Sequence, residues 1–150
     1  MSALTVQSLR LRLLLVAPLR VALGVALLVA ARAAGSPAET TLLAFVAGAF
    51  VIFFLIWNDP RAHFRRASGE PSQLPIDAKV APAWVHAVHA TLPSTVGVTA
   101  LAALALAFQP TLTALLAGIV AGLGLAALLA AHRTDGRLYL DPRSRVVFRK

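Results

Sequence analysis

The chain has 150 residues, of which 59% are hydrophobic and only 13% charged, far from the roughly 45–50% and roughly 25% typical of soluble domains. It contains no cysteine, which excludes disulfides, thiolate metal sites and a cysteine nucleophile. The net charge of +8 does not read as nucleic-acid binding, because the basic residues stand beside apolar runs and lack an aromatic, basic surface to go with them. Anionic lipid headgroups are the nearer partner, at about 1 kcal/mol per basic side chain.

The apolar residues fall into four blocks, at about 11–34, 40–57, 91–108 and 110–131. Runs of about 17–25 apolar residues match a bilayer's hydrocarbon thickness when helical. A soluble helix would carry a polar stripe, and these blocks have none. Barrel strands would be about half as long and would alternate polar with apolar. The blocks therefore predict four transmembrane helices.

The first block follows a polar start holding Arg10 and Arg12. Pro18 either kinks this helix or opens it after a short surface helix. Arg20 is the charge deepest in any span, and no Asp or Glu lies in an apolar core to pair with it. It either snorkels to the inner headgroups or forms a site for an anionic headgroup or substrate. Ala22, Ala26 and Ala30 make a small-residue stripe suited to close helix packing. The block ends in Ala31-Arg32-Ala33, similar to a signal-peptidase site, but it is longer than a usual signal core and is interrupted by Arg20. An uncleaved anchor is the expectation.

Span two should stop at Asn58-Asp59-Pro60, since a residue before proline is pushed out of helical geometry. The loop 58–90 carries Arg61, Arg65, Arg66 and Lys79, with His63, and its Pro71, Pro75 and Pro82 read as irregular chain. A helix should begin near Ala83 and run into span three across Pro93. His86 and His89 are three residues apart on one helix face, and with His132 they are the candidate metal or haem ligands. They lack nearby cysteine or glutamate companions, so interfacial polar residues are the better reading. Trp57 and Trp84 suit the headgroup level.

Span four places Ala114, Gly118, Gly122 and Ala126 at every fourth position, a helix-packing face inside one bundle or between copies. The tail, 132–150, differs in character. Residues 137–140 and 145–148 read as two short strands around a type I turn at Asp141-Pro142, a C-terminal β-hairpin. A weak echo links Leu42–Gly48 with Leu115–Gly122, and Pro18 with Pro93, as a parallel repeat would.

All Lys and Arg except Arg20 and Arg32 fall in the N-terminus, the loop 58–90 and the tail, while the two opposite connections carry none. Four crossings bring these three groups to one side, and positive flanks stay in the cytoplasm. The expected architecture is an all-α membrane protein of one domain, with four transmembrane helices as two helical hairpins. It would lie in the inner cell membrane with both termini cytoplasmic.

Proton- or ion-coupled transport usually needs an acidic residue or histidine inside the membrane. The spans offer hydroxyls and Arg20 instead, and no Ser-His-Asp set, Walker loop or dinucleotide fingerprint can be assembled. The expectation is a non-catalytic accessory or structural subunit without a cofactor. Arg20, Arg61, Arg65, Arg66, Arg143 and Arg145 would meet lipid or other anions. Its partners would be membrane lipids and other membrane-protein subunits or further copies of itself. The alternative is an oligomeric channel or lipid or solute carrier using Arg20 and the span-three hydroxyls.

Overall fold

The structure is a computed structural model that describes residues 4–58, 65–66, 83–132, 139–140 and 146–148, with side chains over 10–56 and 94–132. Four helices dominate it: α1 (Val6–Ala33), α2 (Ala38–Asn58), α3 (Ala83–Phe108) and α4 (Pro110–His132). Each boundary has a local cause. Gly35, at φ 93°, takes the left-handed conformation that closes α1. The Gly35 and Ser36 amides donate to the Arg32 and Ala31 carbonyls at 3.1 and 3.3 Å, a Schellman cap. Arg32 donates to the Ser36 carbonyl, a cation set against the negative end of the helix dipole. That gives Arg32 a local role at the end otherwise bare of basic residues.

α2 starts immediately beyond Pro37, with Glu39 in its first turn, where a carboxylate suits the dipole. Between α3 and α4 lies a single residue, Gln109, and α4 opens on Pro110. Proline has no amide hydrogen to leave unpaired at that position. α1 already runs from Val6 and includes Pro18, so the helix does not start there.

Three helical stretches are long and apolar enough to cross a membrane, Arg10–Ala33, Ala38–Ile56 and Pro110–His132, and Ser94–Phe108 in α3 is a shorter apolar helix. The distribution of side chains is inverted relative to a protein in water. Among the described residues the buried set is mostly alanine, glycine and threonine, whereas Leu43, Phe50, Leu104 and Phe108 face outward. A contiguous apolar exterior of this kind is untenable in water, but hydrocarbon chains solvate it without cost. The fold is that of a helical membrane protein.

α4 is the centre, touching all three other helices, while α1 and α2 touch each other little. The short turn between α1 and α2 reverses the chain, yet their main partner is α4. The contacts also set direction. Gly24 of α1 meets Ala117 and Ala121, whereas Gly124 meets Ala17, so α1 and α4 run antiparallel. Gly118 of α4 meets Phe45 and Gly122 meets Ala49, so α2 and α4 run parallel. Thr113 of α4 donates to the Ala102 carbonyl of α3 at 3.0 Å, next to the turn that reverses the chain. The starts of α1 and α3 and the ends of α2 and α4 consequently lie at one end of the bundle.

Short backbone ladders lie among the remaining described residues: β1 (Leu4–Thr5), β2 (Arg65–Arg66), β3 (Tyr139–Leu140) and β4 (Val146–Phe148), in the order β1-β4-β3-β2. β3 and β4 pair antiparallel, with Tyr139 opposite Val147. Ladders of two or three residues make few hydrogen bonds, and the bundle does not depend on them. The turn expected at Asp141-Pro142 lies outside the described residues.

Candidate functional site

Two packing seams and two polar clusters organise the bundle. In the α1–α4 seam, small residues recur every seven positions on each helix: Gly24 meets Ala117 and Gly124 meets Ala17 in antiparallel order, Ala131 packs in a cluster with Ala17, and Ala31 is buried nearer the other end. Seven residues make two helical turns, so this spacing keeps one face against one partner. A Cβ added to Gly24 would lie 2.7 Å from the Ala117 carbonyl oxygen, and one on Gly124 would lie 2.8 Å from that of Ala17. The two backbones approach so closely that only hydrogen fits.

The stripe expected on the first span, Ala22, Ala26 and Ala30, is not that face. Ala22 and Ala26 are exposed and Ala30 is half-buried. Spacing by four did not pick out the face that packs inside this bundle, on a helix that is apolar all round; the seven-residue spacing marks that face.

The α2–α4 seam uses the fourfold spacing. Ala114, Gly118, Gly122 and Ala126 are all buried. A Cβ on Gly118 would strike the Phe45 carbonyl, and one on Gly122 would come within 2.5 Å of the Ala49 carbonyl. Gly48, on the α2 side, meets the Leu115 carbonyl in the same way. The two segments that echo each other in sequence, Leu42–Gly48 and Leu115–Gly122, are thus opposite sides of one seam.

At the end away from the basic groups, hydroxyls knit the turns together. Ser36 and Thr111 are 3.1 Å apart, and Thr41 lies 2.7 Å from Ser36 Oγ while donating to the Pro37 carbonyl. Ser36 and Thr41 are 5% and 0% exposed, so this cluster is an internal clasp. Nothing in the spacing of these residues advertised it.

Arg20 forms the polar cluster most suggestive of function. It is 9% exposed, although it sits midway along a membrane-length helix. Its Nε donates to Thr95 Oγ1 at 3.3 Å and its Nη2 donates to Ser94 Oγ at 3.4 Å. α3 thus supplies two adjacent hydroxyls to a guanidinium on α1. On the other side, a Cβ at Gly124 would come within 3.1 Å of the Arg20 Cβ, so α4 packs against the base of this side chain. The arrangement holds a fixed positive charge in a low-dielectric interior.

Of the other sequence candidates, Arg65 and Arg66 lie in β2, while Arg61, Arg143 and Arg145 lie outside the described residues. His86 and His89 fall in the first turns of α3, where only the backbone is described, and His132 is exposed at the end of α4. Among the described residues no three metal-ligating side chains gather. The structure brings Arg20 to Ser94 and Thr95, and Gly118 and Gly122 to α2. No family model matches the chain, and no curated protein or solved structure matches it.

Proposed function

We propose that the chain is a small non-catalytic membrane subunit, crossing the bilayer four times as two helical hairpins with both termini in the cytoplasm. It docks partner subunits through a basic face made by the loop 58–90 and a tail folded as a β-hairpin. The carrying observation is the direction of the helices, which collects the starts of α1 and α3 and the ends of α2 and α4 at one end. The basic residues of the N-terminus, loop and tail adjoin those helix ends. Cytoplasmic retention of positive flanks supplies the orientation, and the pairing order β1-β4-β3-β2 supports contact among the three segments. α3 counts as a crossing because it has 26 residues, or about 39 Å at the helical rise.

The test is purification of the full chain in mild detergent, beside an Arg61→Glu, Arg65→Glu, Arg66→Glu variant. The reading expects distinct subunits at fixed ratio with the native chain and their loss from the variant. A C-terminal tag should be reachable only from the cytoplasmic side. A homogeneous assembly of this chain alone, unaffected by charge reversal, would overturn the subunit role. That result favours a second reading, an oligomeric channel or carrier, which has the Arg20–Ser94–Thr95 cluster in its support.

A further inference from the structure

Pro18 and Pro93 are the sequence features that the packing seams leave unexplained, and the structure brings them to one depth. Arg20 of α1 bonds to Thr95 of α3 across a separation of 75 residues, and Ser36 meets Thr111 across the same separation. Leu27 and Ala102, equally far apart in the chain, share a core cluster. α1 and α3 therefore run parallel without stagger. Pro93 follows Pro18 by the same interval, so the two prolines lie at one level in neighbouring helices. α4 has its own weak point there. Gly124 meets Ala17, Arg20 and Val21, the residues around Pro18, and Gly122 stands two positions before it.

Each of these residues softens a helix. Proline lacks the amide that would bond the carbonyl four residues earlier, and glycine has no side chain to restrict its backbone. Sharp bends in long helices concentrate at such positions. α2 differs. It has no proline, and its one glycine, Gly48, meets Leu115 and Ile119, nearer the turns.

The bundle is tied differently on the two sides of this level. At the end that carries the turns, Ser36 and Thr111 join the first hairpin to the second, and Thr113 holds α4 to α3. At the basic end, Leu13 and Ala17 of α1 pack with Ala127 and Ala131 of α4, so these two helix ends make one body. We infer that Pro18, Pro93 and Gly124 form a flexure, at which the basic ends of α1, α3 and α4 bend together against a straight α2. Such bending leaves the close contacts of Gly118 and Gly122 with α2 intact, because both lie on the turn side of Gly124. The helix ends that move are those joined to the N-terminus, the loop 58–90 and the tail, so bending alters the spacing of the basic groups. The flexure is a property of the fold and does not require the docking role.

The test measures distances between spin labels on the full chain in nanodiscs. The chain has no cysteine of its own, so labels attach only where a cysteine is introduced. Leu15→Cys with Leu55→Cys reports on the basic end, and Val29→Cys with Leu43→Cys on the turn end; all four positions are exposed. The expected result is a broad distance distribution for the basic pair and a narrow one for the turn pair. A Pro18→Ala, Pro93→Ala variant restores the missing amides. It should narrow the basic pair to the width of the turn pair and leave the turn pair unchanged. Pro18 is exposed, so Pro18→Ala alone, expected to narrow the basic pair in part, carries the test if the double variant fails to fold by circular dichroism. Distributions of equal width at the two ends of the native chain overturn the inference, as does a basic pair whose width survives the proline replacements.

Discussion

α2 and α4 are similarly apolar and both are long enough to span a bilayer, yet 56% of an 18-residue apolar segment of α4 is buried against 11% of the matching segment of α2. Size separates them, because hydropathy hardly does. α4 offers glycine and alanine on two faces, one toward α1 and one toward α2, whereas α2 turns Leu43, Phe50, Phe54 and Leu55 outward. Lipid removes the hydrophobic drive for helices to associate, so what remains is dispersion contact between backbones that can come close. Leucine and phenylalanine gain as much from lipid chains as from a neighbouring helix. Glycine gains only from a neighbour. The central helix of this bundle is therefore its smallest-faced one.

The most damaging change should be Gly118→Val. Its Cβ would strike the Phe45 carbonyl, which has no flexible side chain to yield, so α2 must move. Overpacking of this kind costs about 1–3 kcal/mol or more, read as a lowered unfolding midpoint in mixed micelles with denaturing detergent. A variant as stable as the wild type would break the claim that α4 is held by backbone contact.

A middling effect is expected at Thr113, which is 0% exposed and bonded to the Ala102 carbonyl. Thr113→Val keeps the shape and loses the bond, for about 0.6 kcal/mol by the average of interhelical bonds in membranes. The same unfolding assay in a Gly97→Ala background sharpens it, because a Cβ at Gly97 meets nothing and should leave the effect of Thr113→Val unchanged.

The smallest effect is expected at Phe50, which among the described residues stacks on Phe54 of its own helix, with ring centroids 6.2 Å apart, and is 66% exposed. Phe50→Ala should shift stability by less than about 0.5 kcal/mol. A large loss there, measured at rising protein concentration, would show that the outward face of α2 is packed against another chain, and the contrast with α4 would narrow.

Membrane solvation and the positions of the four helices were legible from residue type alone. So was the close-packing face of α4 at Gly118 and Gly122, since fourfold spacing of glycine is rare by chance in a leucine-rich run. The face of α1 was not legible in the same way. Ala22, Ala26 and Ala30 satisfied the same rule as Gly118 and Gly122, and the packing chose Ala17, Gly24 and Ala31 instead. In a soluble helix the polar side would have marked the face that does not pack. Here every side is apolar, and small residues occur on several of them.

The residues by themselves determined that this chain partitions into lipid, where its helices stop, and that its basic groups cluster. Those outcomes follow from transfer energies and local backbone chemistry, which act residue by residue. Only the tertiary structure decided that α4 lies between α1 and α2, and that Ser94 and Thr95 meet a guanidinium seventy-four and seventy-five residues earlier in the chain. Which face meets which depends on how closely two backbones can approach, a property of pairs of helices that no single segment contains.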